Sequence, residues 1–225
     1  MVQTETAATS LLPPRAASDG TLRRVQEEAL VRFADLGYHG VSMRDIAEGC
    51  GIKASSIYAH IRSKAELLSQ LALIAHQEHR EGLAESLLDA GTDPVDQLRA
   101  LVRTHTRFHA TYPVLATVAN NELHALSDEA AAAVQALRDD GVRIFMDVIQ
   151  RGVKLGKFVC DDAALVTAAI AAMGIRLAAW YRPEGQRGTD SYATRVFRLF
   201  GEFGRSYTIE EIVDRYAEFA LKLVS

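Results

Sequence analysis

Two helix-start signals, Ser42-Met43-Arg44-Asp45 and Ser63-Lys64-Ala65-Glu66, bracket the turn Gly49-Cys50-Gly51, and the chain between them has room for only two short helices. In each signal the serine hydroxyl accepts a hydrogen bond from the backbone three residues on, while the acid reaches back to the start of the helix. The first short helix ends at about Glu48. Glycine takes positive φ at low cost, so Gly49 to Gly51 turns tightly. The second short helix covers Ala54 to His60. The box at Ser63 then opens a long helix through Leu67, Leu68, Leu71 and Ile74 to about Leu88.

Upstream, Leu22, Val25, Ala29, Phe33 and Leu36 recur three or four apart, which predicts one amphipathic helix over Thr21–Leu36 stopped by Gly37. Two short helices across a glycine turn, held by a preceding helix, are the sequence form of a helix-turn-helix. Such a unit needs apolar side chains where its helices cross, and Ile46, Ala47, Ile52 and Ile57 supply them. Lys53, Ser55, Ser56, Tyr58 and His60 then offer polar groups on a helix narrow enough to enter a major groove.

The rest of the chain keeps helical periodicity, with no alternating stretch long enough to read as a strand, so the fold class is all-α. After a loop at Gly91 to Pro94, helices are expected at Val95–Thr111, Pro113–Leu123, Asp128–Leu155, Asp161–Tyr181, Tyr192–Phe203 and Ile209–Leu223. The organisation read from this is a flexible arm over 1–20, rich in Ala, Ser and Thr with Pro13-Pro14. A three-helix DNA-binding domain over 21–68 follows, its fourth helix continuing to about 88. A helical bundle takes 89–225.

Hydrophobic residues make up 48% of the chain, enough for real cores. The net charge is −4, with cations and acids balanced over 1–80 and acids in excess beyond, so a nucleic-acid surface must be local. Cys50 and Cys160 have no metal or redox spacing and suit a reducing compartment. The N-terminus lacks a basic segment followed by an apolar one, and the apolar run Ala163 to Ile175 is shorter than the about 20 residues a bilayer needs. A cytoplasmic protein without a membrane partner is expected.

Gly37-Tyr38, Val41 through Ala47, Gly51-Ile52, Ile57-Tyr58-Ala59-His60 and Ser63 through Leu68 together resemble the TetR-type transcription regulators. The resemblance implies a dimeric repressor on a palindromic operator in double-stranded DNA. It implies phosphate contacts for Ser42, Arg44, Tyr58, His60 and Lys64, and base-facing positions for Lys53, Ala54, Ser55 and Ser56. Ile61 departs from the family's aromatic residue, which bears on packing more than on binding. Each position also has a plainer reading: Ser42 and Ser63 as caps, Tyr58 as half-buried core, Arg44 and Lys64 as solvated charges.

In the second half, Ala164, Leu165, Ala168, Ala169, Ala172, Met173 and Leu177 recur at helical spacing. The small alanines among them allow close approach of a symmetry mate, with the last helix (Ile212, Tyr216, Phe219, Leu223) beside them. The alternative is core within one subunit. Asn121 through Ser127, Arg138, Gly152, Gly156-Lys157-Phe158 and Trp180 through Gly185 resemble the acyl-CoA-responsive TetR regulators of fatty-acid and sterol degradation, although an extra helix over Tyr192–Phe203 departs from that subgroup. The resemblance implies effector binding and dimerisation for 89–225, with a small apolar effector, an acyl-CoA thioester among the candidates, and no cofactor. A thioester needs an apolar tunnel and cations for phosphate. Candidates to line the site are Phe108, Asn121, Phe145, Met146, Met173 and Trp180, with Arg176 and Arg182 as cations and Arg143 or Arg151 in reserve. Another hydrophobic ligand, or an interaction module that binds no DNA, are the competing readings. His105 and His109 fall four apart on one helix face, but no third metal ligand is in view, so no metal is assigned. No nucleophile, base and orienting group stand together as an enzyme would require.

Overall fold

Helix ends fall where side chains at them satisfy free backbone groups. The computed structural model describes residues 10–16, 20–181 and 207–225. Its helices are α1 (Gly20–Leu36), α2 (Met43–Gly49), α3 (Ala54–Ile57), α4 (Lys64–Asp89), α5 (Pro94–Thr111), α6 (Pro113–Asn121), α7 (Asp128–Lys154), α8 (Ala163–Trp180) and α9 (Ile209–Lys222), with a 3-10 turn at Leu123–Ala125 and no strand among the described residues. Ser42, Ser63, Asp93, Ser127, Asp162 and Thr208 each accept a hydrogen bond from the first turn of the helix they precede. Gly37 and Gly51 adopt φ of +72° and +65°, the left-handed turns that end α1 and separate α2 from α3. The expected helix Tyr192–Phe203 and Arg182 lie outside the described residues.

The first core joins α1, α2, α3 and the start of α4 through Val25, Leu30, Phe33, Ile46, Ile57, Ile61, Leu67 and Leu71. Leu30, not Leu36, completes the apolar face of α1; Leu36 is 61% exposed beside the helix-ending glycine. Ile61 is fully buried, as a packing role requires. The second short helix is regular only over Ala54–Ile57 and continues as a turn through His60. The Ile57 carbonyl accepts from both His60 and Ile61, a tight reversal that leaves Ile57 and Ile61 both in the core.

The second core centres on α5, with Leu98, Leu101 and Val102 packed against Leu83 of α4, Phe145 and Ile149 of α7, Ile170 of α8 and Ala217 of α9. Along the outside, Arg99, Arg103 and Arg107 of α5 pair with Glu218, Asp214 and Glu210 of α9, two antiparallel rows of i,i+4 charges. Gly152 lets Phe158 lie directly on α7: a Cβ there would stand 2.0 Å from the ring.

The packing runs across the boundary expected near residue 88. α4 contributes Leu67 to the first core and Leu83 to the second, and α6 places Val114, Leu115 and Val118 in the first. The leading arm also departs from expectation within residues 10–16. Leu12 is 1% exposed, Arg23 donates to its carbonyl, and Arg15 pairs with Glu81 and Glu85 of α4. α8 is by length and composition apolar enough to cross a membrane. Its Thr167, Ile170, Gly174, Leu177 and Ala178 are instead buried in the bundle.

Candidate nucleic-acid interface and effector cavity

The reversal from α2 to α3 leaves a polar edge. Arg44, Lys53, Ser55, Ser56 and His60 are exposed, Ala54 is partly buried at the start of α3, and Tyr58 is 54% exposed, so its half-buried-core reading does not hold. Arg62, which no sequence motif marks, is also exposed, between His60 and the start of α4. Ser42 is engaged as a cap: its hydroxyl accepts from the Asp45 N–H and donates to the Asp45 carboxylate at 2.7 Å. That pairing holds the Asp45 carboxyl below its usual range. Lys64 is a brace. Its ammonium donates to the carbonyls of Tyr38 and Val41 at 2.8 and 2.6 Å and stands 4.2 Å over the Tyr38 ring, tying α4 to the loop that enters α2.

A cavity of about 180 Å³ lies between α4, α5, α6, α7 and α8. Phe108, Phe145, Ala116, Ala119, Ala171 and Ile175 give it apolar walls, and His76, His79, His105, His109, Asn120 and Arg138 give it polar groups. Gln135, Asp139 and Val142 are both lining and exposed, so the mouth runs along α7. Arg138 donates to Asn120 at 2.9 Å, which fixes one cation of this lining across from α6.

Of the expected lining, Phe108 and Phe145 are brought together here. Asn121 is exposed and its neighbour Asn120 faces the cavity instead, because α6 ends at Asn121 and turns away. Met146 is outside the lining, one position round α7 from Phe145, and Met173 packs on the second core. Trp180 packs with Ala110, Leu177 and Ile212. Arg176 is on the exposed side of α8. Arg143 pairs with Asp140, and Arg151 donates to Gln97. The cation on the lining is instead Arg138, one of the residues that carry the resemblance.

The imidazoles were half legible. His105 and His109 share a face of α5, and the third ring that the spacing leaves out of view is His79 of α4, with Nε2 2.8 Å from His105 Nδ1. Bringing α4 against α5 is a tertiary event that no local spacing encodes. Burial pulls His105 down to about 4, against a hydrogen bond to the Ala171 carbonyl. Burial also brings His76 to about 4, helped by the Arg138 charge and opposed by a hydrogen bond to the Ala119 backbone. Burial and then the neighbouring rings take His79 and His109 well below the histidine range. All four are neutral at pH 7.

Residues 26–71 match the family of bacterial regulatory proteins of the tetR type, and residues 91–202 match the tetracyclin repressor-like C-terminal domain. The HTH-type transcriptional repressor KstR2 of Rhodococcus jostii is 26% identical over 195 residues, covering 84% of this chain and 95% of that protein. The crystal structure of the regulator PfmR from Thermus thermophilus superposes with a TM-score of 0.72 at 25% identity, over 88% of this chain and 97% of that one. AibR, in a crystal structure with isovaleryl coenzyme A and operator DNA, gives 0.70 at 22%, over 88% of this chain and 96% of its own. The two family matches take in more than half of the chain, one over the polar edge and the other over most of the cavity walls, and the chain belongs to the tetR family of bacterial regulatory proteins.

Proposed function

We propose that this chain is a cytoplasmic repressor that binds a palindromic operator as a dimer and leaves it when an apolar acyl effector fills the cavity. The observation that carries the reading is the double membership of α6. Ala116, Ala119 and Asn120 line the cavity, while Leu115 and Val118 of the same short helix pack in the core that holds α1. Glu122, just past its end, accepts from the Tyr38 N–H at 3.2 Å, and the Tyr38 carbonyl in turn anchors Lys64. A group that displaces α6 therefore also displaces the loop entering α2. Differential affinity of the effector for the displaced state is what weakens operator binding.

Two recognition helices must stand about 34 Å apart to read successive major grooves. The exposed apolar stripe of Leu165, Ala168, Ala169 and Ala172 on α8 is the face across which a second copy would set that distance. Arg44, Tyr58, His60 and Arg62 supply phosphate contacts, and Lys53, Ala54, Ser55 and Ser56 at the start of α3 face the base edges. Ser42 and Lys64 act by holding the loop.

Cavity size bears on the effector. An engineered cavity of about 150 Å³ holds benzene, so about 180 Å³ suits a short or branched acyl group better than a four-ring steroid. AibR, similar in fold, is a precedent through its isovaleryl coenzyme A. Arg138 is the cation nearest to hand for an anionic carrier. Affinity for the chain's own upstream intergenic DNA, titrated with short, branched and long acyl-CoA thioesters, free acids and free CoA, tests this. Release by short or branched thioesters alone supports the reading; specific binding unmoved by every member of the panel defeats the acyl effector.

A further inference from the structure

The inner polar end of the cavity carries an arrangement that effector binding does not call for. His79 from α4 and His105 and His109 from α5 each bring a ring nitrogen to within 4.8 Å of the other two, the only such group of three potential metal ligands among the described residues. The hydrogen bonds of two rings fix which nitrogen is available. His105 Nε2 is 3.2 Å from the Ala171 carbonyl and His109 Nδ1 is 2.9 Å from the His105 carbonyl. A carbonyl only accepts, so those nitrogens carry the protons, and Nδ1 of His105 and Nε2 of His109 keep their lone pairs. Metal-ligating histidines are oriented in this way, the second nitrogen donating to a backbone carbonyl. Between His79 Nε2 and His105 Nδ1, 2.8 Å apart, the single proton is therefore on His79. Moving it to His79 Nδ1 is a tautomer change with no net proton loss, and it turns Nε2 into a third donor.

Two further features fit. Gly174 of α8 makes the bed for His105: a Cβ there would stand 2.2 Å from His105 Nε2. His76 lines the same cavity with a buried Nε2 that has no hydrogen-bond partner among the described residues. Packing alone does not explain four neutral imidazoles around one apolar space.

We propose that His79, His105 and His109 form a binding site for a divalent transition metal of the zinc class, with a fourth coordination position open to the cavity. Three imidazoles select zinc, cobalt, nickel or copper over magnesium or calcium. Three protein ligands with an open position is the arrangement in which a metal takes an exchangeable oxygen donor. Zn–N bonds of about 2.0–2.1 Å draw the three rings inward. The neutral ligand set leaves the ion's charge uncompensated, with Asp139 the carboxylate and Arg138 the cation also on the lining. Hence an anionic oxygen of an effector, or hydroxide, is the fourth ligand. The site shares its cavity with the effector proposed above, but metal binding stands or falls without any effector or DNA.

The test is Co²⁺ titration of the untagged, chelator-stripped full-length protein, read by visible d–d absorption and reversed by Zn²⁺. One equivalent per chain with a four-coordinate spectrum is expected. His79→Gln and His109→Gln each weaken binding by about a hundredfold or more, since loss of an outer-shell partner alone costs about 10–100-fold. Gly174→Ala, which removes no ligand, weakens it by displacing His105. His39→Gln and His124→Gln, at exposed positions, leave it unchanged. Circular dichroism identifies any variant that fails to fold, and His79→Gln, at the partly buried ring, is the decisive one. No saturable Co²⁺ signal in the folded wild type, or binding undiminished in folded His79→Gln, overturns the proposal.

Discussion

His76 shows how a single buried ring sets acid sensitivity. It is on α4, with Arg138 of α7 and the rings of His79, His105 and His109 lining the same cavity, and burial first and Arg138 second bring it to about 4. An unfolded chain titrates its histidines near 6.5. Below that pH the unfolded state takes up a proton that the folded state refuses, so the stability associated with His76 is intact above about pH 6.5 and lost as pH falls toward 4. The difference corresponds to on the order of 3 kcal/mol. His79 and His109 push in the same direction. Urea unfolding of chelator-treated protein between pH 7.5 and 4.5 is expected to show this decline, and His76→Leu to make it shallower. A flat profile through this window would mean that His76 does not remain neutral when buried. Sequence alone gave no access to this, because α4 was read by its leucines and its histidines touch the site only after packing. Lys64 teaches the converse: its position at the start of the fourth helix was legible, but its two carbonyl partners on the preceding loop were not.

Among the elements, those with local signals were read most closely. The capping box at Ser42, the cap at Ser63 and the glycine turn at Gly51 are interactions within a few residues, and α2 and α4 begin where they say. Compositional signals did less well. The arm looks disordered by its Ala, Ser and Thr content, yet Leu11, Leu12 and Pro13 carry enough apolar surface to dock, and Arg15 finds Glu81 and Glu85 one turn apart on α4. Exposed ion pairs add little, so the apolar contact dominates. Leu12→Ala is expected to cost about 2 kcal/mol, the low end for a buried leucine, because the arm can lift away instead of leaving a cavity. Limited proteolysis should then cut within residues 10–16 well before the folded bundle is attacked. Equal cleavage rates in wild type and variant would show that the arm is not held by Leu12.

At the scale of the whole molecule, the two-part organisation was legible from one helix-turn-helix followed by a long helical remainder, but the way the parts join was not. α6 reads as an ordinary apolar helix; only its two packing partners make it a connection between cavity and loop. Symmetry is the remaining question of scale, and α8 bears on it. One side of this helix is buried against its own bundle, while Leu165, 69% exposed, and the alanines at 164, 168, 169 and 172 face outward with hardly a polar atom. A continuous exposed apolar face on a soluble helix marks an interface, and alanines let a second helix approach closely. If a second copy covers it, a buried carboxylate there has no partner and opposes association. Leu165→Glu and Ala169→Glu are therefore expected to give monomers in sedimentation with unchanged helical content. Operator affinity should fall by about a hundredfold or more, the loss expected when two half-sites are no longer engaged through one particle. The order of effects matters: a variant that stays dimeric yet loses the operator would place the defect in the DNA-binding unit, and a monomer that keeps full affinity would remove the two-fold arrangement from the mechanism.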